Sequence, residues 1–72
     1  MDGKDKMKQS KQVYILYNRI EKEFVGWDYN LVSEIFDAIY FDRLDMVEKE
    51  RLLLDEPELF DLWPIKITFE TI

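Results

Sequence analysis

Carboxylate side chains dominate the middle of this 72-residue chain. Residues 28–61 contain eleven aspartates and glutamates against three lysines and arginines, which is a net charge of −8. Two carboxylates can act as a general acid and a general base when burial or a neighbour separates their pKa values. Here the acids stand beside lysine and arginine on a polar surface, which keeps them ionised. We therefore expect no catalytic residue and no enzymatic activity.

The residue types of the chain also argue against a metal ion or a cofactor. Cysteine and histidine are both absent, which removes the usual ligands of zinc and the usual acid–base group of neutral pH. The sequence has no Asp-x-Asp-x-Asp-Gly loop for calcium and no glycine-rich phosphate loop. We expect no metal site, no cofactor and, without a run of ~18 apolar residues, no contact with a membrane.

The strongest local signal is the segment from Asp55 to Trp63. Four acids occupy its first seven positions without a base among them, and four apolar residues are interleaved with these acids. An exposed loop of this kind would offer aromatic anchors inside an acidic rim. Alternatively, the segment is a solvated connection whose apolar residues fold back onto a sheet. The candidate binding residues are Asp55, Glu56, Glu58, Leu59, Phe60, Asp61 and Trp63.

The elements that would position these residues include one helix. From about Ala38 to Leu54 the apolar residues recur with a helical period, and acids rise on the opposite side. Two apolar residues, Phe41 and Leu52, fall on the polar side and are candidates for an external contact. The expected buried face consists of Tyr40, Leu44, Val47 and Leu54, with Ile39, Met46 and Leu53 on a neighbouring stripe.

Strand patterns flank this helical region. Val13–Tyr17 is β-branched and aromatic, as in a central strand, and Glu23–Trp27 could pair with it. Residues 28–30 have turn chemistry, and Leu31–Phe36 continues either as a strand or as the start of a helix. Residues 65–70 alternate between apolar and polar, which predicts a half-buried strand. We place Pro64 at the first residue of that strand.

These elements predict an α+β fold, with a small antiparallel sheet of three or four strands and one amphipathic helix packed across it. A helical hairpin over residues 31–54 is the alternative. Residues 1–12 are polar and carry four lysines against two aspartates, so we expect a disordered basic arm. Residues 13–72 then form a single acidic α+β domain.

The charge of the chain restricts its partners. A compact body with a negative face repels nucleic acid and attracts basic proteins, so we expect no direct binding to nucleic acid and a basic nucleic-acid-binding protein as the partner. Eleven aromatic residues exceed what so small a core needs, which favours a homodimer. Phe41, Leu52 or the outer face of the Val13–Tyr17 strand would form its contact.

A short, cysteine-free, acidic and aromatic-rich α+β protein resembles the small phage-encoded host-takeover proteins of the DNA-mimic type. Such proteins inhibit nucleic-acid-binding proteins, for example the bacterial nucleoid protein HU, in the cytoplasm of the host cell. The resemblance implies that carboxylates stand in for phosphates, and Arg43, Lys49 and Arg51 would need to point away from the mimicking surface. That surface would consist of Glu34, Asp37, Asp42, Asp45, Asp55, Glu56, Glu58 and Asp61.

A second resemblance covers five residues. The run Glu56-Pro57-Glu58-Leu59-Phe60 is similar to the short peptide motif that docks on the bacterial sliding clamp, although that motif begins with glutamine. It implies an interaction module that docks through Leu59, Phe60 and Trp63. Its target would be a replication or transcription protein such as the clamp or RNA polymerase.

Overall fold

A computed structural model describes residues 7–72 of the chain. These residues form four strands and one α-helix, and two short 3-10 turns precede α1 and β4. In chain order the elements are β1 (Lys8–Asn18), β2 (Glu23–Val25), β3 (Leu31–Val32), the 3-10 turn Ile35–Asp37, α1 (Leu44–Leu52), the 3-10 turn Pro57–Leu59 and β4 (Phe60–Glu70).

The strands form one antiparallel sheet in the order β3-β2-β1-β4. The central strand β1 pairs with β2 through a tight hairpin and with β4 along its whole length, from Lys8 opposite Glu70 to Asn18 opposite Phe60. Helix α1 packs against one face of this sheet, where Val47 meets Leu16. The α+β prediction is therefore confirmed, with four strands and one helix.

The long ladder between β1 and β4 corrects the prediction of a disordered arm over residues 1–12. Lys8–Gln12 belongs to β1 and pairs with residues 66–70 of β4. The sequence gives no sign of this because the segment has no apolar periodicity. Pairing requires only backbone donors and acceptors, and the Ser10 and Thr68 hydroxyls, 2.9 Å apart, add a cross-strand hydrogen bond. Residues 1–6 of the expected arm lie outside the described residues.

The hairpin of β2 and β3 is built from the turn chemistry that the sequence predicted. The Gly26 N–H donates to the Asn30 carbonyl at 2.8 Å, and the Asp28 carboxylate accepts from the Asn30 N–H at 3.0 Å. A Cβ on Gly26 would lie 2.9 Å from Val32 Cγ1, so glycine allows the two strands to approach. Of the two alternatives for residues 31–36, the strand is correct for Leu31–Val32.

The helix is shorter than predicted. Residues 38–41 are extended and join the sheet beside β1. The Tyr14 N–H donates to the Phe41 carbonyl at 2.8 Å, and the Phe41 N–H donates to the Tyr14 carbonyl at 2.9 Å. Because β2 is only three residues long, the edge of β1 at Tyr14 would otherwise lack partners. Tertiary pairing thus overrides the local helical period, and the alternative of a helical hairpin is wrong.

The predicted buried face of the helix is correct mainly at Val47, which is fully buried. Tyr40 lies before the helix, and Leu44, the first residue of α1, is 52% exposed. Phe41, expected to make an external contact, packs instead against the core, which also takes in Ile39. The core on this face of the sheet consists of Leu16, Val25, Ile39 and Val47, with Tyr14, Leu31, Phe41, Leu54, Phe60 and Leu62 packed around it.

Pro64 lies inside β4 rather than at its first residue. It stands opposite Tyr14, whose N–H and carbonyl both bond to Phe41 on the other side of β1. This position of the ladder therefore needs no N–H from Pro64. Proline is tolerated in a strand where its nitrogen faces the open edge of the sheet.

Candidate functional site

The sheet has a second face, opposite to helix α1, that is rich in apolar side chains. Alternation along β1 places Val13 and Ile15 on it, and both are almost fully buried. Their partners across the ladder are Ile65 and Trp63. Tyr17 follows on the same face. The residues of this face that lie nearest the hairpins form an aromatic cluster.

The cluster consists of Tyr17, Phe24 and Trp63. The Trp63 indole stacks on the Tyr17 ring with centroids 4.2 Å apart, and Phe24 lies edge-on to the indole at 5.7 Å. Such pairs contribute ~0.5–1.5 kcal/mol beyond their area. The cluster closes one end of the face, so Trp63 is a structural residue that keeps only part of its surface in solvent.

Further along the same face, an open groove of about 430 Å³ lies between β4 and the segment before the helix. One wall is formed by Ile35, Phe36, Ala38 and Tyr40, and the other by residues 65–69. Phe36 is 89% exposed and Phe69 is 55% exposed. Large apolar side chains exposed around a concave surface make this groove a candidate interaction site. We call this surface the apolar groove.

Three of the eight carboxylates expected on a mimicking surface are neutralised by ion pairs. Asp42 pairs with Lys11 at 3.0 Å and Asp45 pairs with Arg43 at 2.7 Å. Arg43 therefore lies among the acids rather than away from them. The third pair is formed by Asp61 and Arg19, whose charged atoms are 2.6 Å apart.

Arg19 is a basic neighbour of the Asp55–Trp63 segment that the sequence did not reveal. Besides bonding to Asp61, its guanidinium donates to the Glu58 carbonyl. It stands 42 residues before Asp61 in the chain, so no local pattern could connect the two. The segment has no base of its own, but Arg19, the residue directly after β1, supplies one.

The other five carboxylates, Glu34, Asp37, Asp55, Glu56 and Glu58, are exposed. Within residues 7–72 the structure shows no salt bridge to any of them. Glu34 and Asp37 bracket Ile35 and Phe36 of the apolar groove in the chain. The remaining three precede β4, close to Arg51, whose guanidinium donates to the Pro57 carbonyl at 2.9 Å.

The apolar residues of the Asp55–Trp63 segment do not form one surface. Phe60 lies on the face of the helix and packs against the core, whereas Trp63 lies on the opposite face against Tyr17. Leu59 is half-buried in the 3-10 turn before β4. Of the two alternatives for this segment, the structure therefore agrees with the one in which its apolar residues fold back onto the sheet. Apolar side chains more exposed than these lie at Phe36 and Phe69.

Among residues 7–72, three surface groups have shifted pKa values. Hydrogen bonds from the Arg43 guanidinium lower the pKa of Asp45, and those from Asn30 lower the pKa of Asp28. The hydrogen bond from the Tyr29 hydroxyl to the Glu50 carboxylate, 2.7 Å long, raises the pKa of Tyr29. Each shift arises from a bond that holds a turn or the start of the helix.

Residues 7–72 contain no group of three or more acidic, histidine or cysteine side chains that could hold a metal ion. In the same part of the chain, no helix has the length and apolar character needed to cross a bilayer. Comparison with known proteins matched no family model, no curated protein and no solved structure. A function can therefore be argued only from the residues of the chain itself.

Proposed function

We propose that this chain is a non-enzymatic binding protein that attaches to a basic protein through the apolar groove. The observation that carries the proposal is the exposure of Phe36 and Phe69 on the two walls of a concave surface. Truncation of a few aromatic anchors usually removes most of the binding energy of an interface. An apolar side chain of the partner would fill the space between them.

The charge of the chain supports a basic partner. The net charge is −6, and the exposed carboxylates of Glu34 and Asp37 bracket the Ile35–Phe36 wall. A partner segment with an apolar anchor flanked by lysine or arginine is complementary to this arrangement. The charges accelerate the encounter, and the buried anchors slow the dissociation.

DNA mimicry is a second candidate because Asp55, Glu56 and Glu58 are exposed close together in the chain. In this role the protein would inhibit a host DNA-binding protein such as HU by occupying its nucleic-acid site. The ion pairs of Asp42, Asp45 and Asp61 reduce the charge available for mimicry. For this reason we place the apolar groove first and the acidic surface second.

The sliding clamp and RNA polymerase remain candidate partners under the proposal, with the groove as the contact instead of Leu59, Phe60 and Trp63. The proposed location is the cytoplasm of a bacterial host cell, which the absence of cysteine favours.

The experiment compares three variants of the full chain for binding to purified HU, sliding clamp and RNA polymerase. Phe36→Ser removes an anchor of the groove, and a fourfold change of Asp55, Glu56, Glu58 and Asp61 to Asn or Gln removes acidic charge. Leu52→Ser is the matched control because Leu52 is 64% exposed on α1, outside the groove.

If the groove binds the partner, Phe36→Ser weakens binding at least tenfold, while Leu52→Ser has little effect and added salt changes the affinity only moderately. If the fourfold variant loses binding and Phe36→Ser keeps it, mimicry replaces the proposal. If none of these three proteins binds the unmodified chain at low salt, both functions are refuted for these partners.

A further inference from the structure

Strand β4 has an open outer edge, and the ladder shows which backbone groups point toward it. Tyr14, opposite Pro64, bonds to Phe41 on the other side of β1, whereas the Thr71 N–H donates to the Met7 carbonyl at 2.9 Å. Backbone groups alternate along an antiparallel strand. The odd-numbered residues of β4 therefore bond to β1, and the even-numbered residues point outward.

Three consecutive outward-pointing residues, Lys66, Thr68 and Glu70, follow Pro64. Among residues 7–72, no backbone hydrogen bond reaches these residues from outside the β1–β4 ladder. An exposed strand edge of this length is a template for another strand. We propose that the outer edge of β4 binds the same edge of a second copy of this chain, so that the two four-stranded sheets become one continuous sheet.

The charges on β4 select the register of this pairing. With the two-fold axis at Thr68, Thr68 faces Thr68 of the second copy, and Lys66 faces Glu70 of the second copy. All of these residues point their N–H and carbonyl groups outward, so each pair forms hydrogen bonds. Opposite charges directly across two antiparallel strands stabilise the pair, and like charges destabilise it.

The other registers lose either the opposite-charge pairs or a hydrogen bond. An axis at Lys66 places the two Lys66 ammonium groups opposite each other. An axis at Ile67 places Glu70 opposite Pro64, which has no N–H to donate. An axis at Phe69 moves Lys66 away from Glu70 and opposite Ile72. The axis at Thr68 is therefore the register in which charge and hydrogen bonding agree.

Both faces of the sheet continue across this contact. On the face that carries α1, the Ser10–Thr68 hydroxyl pair lies next to the same pair of the second copy. On this face Glu70 lies between Lys8 of its own chain and Lys66 of the second copy. On the other face, Ile67 comes next to Phe69 of the second copy, with Cα atoms about 4.5 Å apart as in a non-hydrogen-bonded pair. This contact covers the exposed Phe69 ring.

The contact differs in place from the homodimer surfaces that the sequence suggested. It uses the edge of β4 and covers Phe69 on one wall of the apolar groove, while the other wall, with Phe36 and Tyr40, is formed by a different segment of the chain. The dimer does not depend on the proposed function, because its test requires no other protein.

The test is sedimentation equilibrium of the full chain and its charge variants at low salt. The unmodified chain should form dimers as its concentration rises into the micromolar to millimolar range. Lys66→Glu places acids opposite each other twice and should raise the dimer dissociation constant about tenfold. The double change Lys66→Glu with Glu70→Lys should restore dimerisation, because it exchanges the charges of both pairs.

Lys49→Glu is the matched control, since it changes the net charge equally at an exposed position of α1. Thr68→Pro removes an outward N–H from the edge of β4. This variant should keep the circular dichroism spectrum of the unmodified chain and should remain monomeric. A monomeric unmodified chain at millimolar concentration refutes the proposal. The proposal is also refuted if Lys66→Glu and Thr68→Pro both leave the dimer intact. It is refuted as well if the double change does not restore the dimerisation that Lys66→Glu weakens.

Discussion

The indole of Trp63 is stacked on the ring of Tyr17, with centroids 4.2 Å apart and planes inclined by 25°. Phe60, three residues earlier, packs on the other face of the sheet. An odd separation along a strand places two side chains on opposite faces. The two rings that the sequence suggested as joint anchors therefore stabilise different parts of the fold.

Trp63→Ala should lower the free energy of unfolding by about 2 kcal/mol, because it removes the contacts with Tyr17 and Phe24 from a side chain that is 37% exposed. Urea unfolding followed by circular dichroism measures the change. Phe36→Ala is the control and should change stability by no more than about 0.5 kcal/mol. Equal losses from the two variants would contradict the assignment of Trp63 to the structural cluster.

Glu56→Gly should stabilise the protein by about 1 kcal/mol, since Glu56 has a φ of 122°, a conformation that glycine adopts without strain. The gain from relieved strain exceeds the entropy that glycine loses on folding. Glu58→Gly is the control, because Glu58 lies in the 3-10 turn with negative φ, and it should be neutral or destabilising. Chemical denaturation of both variants shows whether the two substitutions differ in sign.

Removal of residues 1–12 should lower the melting temperature by several degrees, because it deletes five residues of β1 and leaves residues 66–70 of β4 without their partners. Cooperative unfolding should persist, since the core begins at Val13. Removal of residues 1–6 alone is the control and takes away none of β1. If the two truncated chains melt at the same temperature, the outer part of the ladder does not contribute to stability.

The pKa of the Asp45 carboxyl group should lie below its ordinary value of 3.8 in the folded protein, because the Arg43 guanidinium donates to this carboxylate. A pKa that is lower in the folded state contributes stability above pH 3.8, and this contribution is lost as the pH falls through the folded pKa. Carbon-13 NMR of the side-chain carboxyl carbons measures this pKa. Arg43→Gln should raise it and leave the pKa of Asp28, which Asn30 lowers, unchanged.

The pKa of the Tyr29 phenol should lie above its ordinary value of 10.0, because the hydroxyl donates to Glu50. A pKa that is higher in the folded state contributes stability below pH 10.0, and this contribution disappears as the pH rises through the folded pKa. Ultraviolet absorbance at the tyrosinate band follows the titration. Glu50→Gln should return the pKa of Tyr29 toward 10.0, and an unchanged titration would show that the bond does not form in solution.

The sequence alone was sufficient for features that depend on neighbouring residues. The alternation of Ile65, Ile67 and Phe69 predicted β4, and the side chains of Asp28 and Asn30 predicted the turn between β2 and β3. The α+β class follows from such local patterns, because strand and turn residues act over a few positions.

Only the tertiary structure decided which segments pair over long distances. The helical period of residues 38–41 gave way to the sheet because Tyr14 needed backbone partners, and Lys8–Gln12 became a strand because β4 runs beside it. Arg19 reaches Asp61 for the same reason. The apolar groove likewise combines Phe36 and Phe69, which lie far apart in the chain. Such contacts arise where backbone groups and apolar surfaces of distant segments meet, and no local periodicity encodes that meeting.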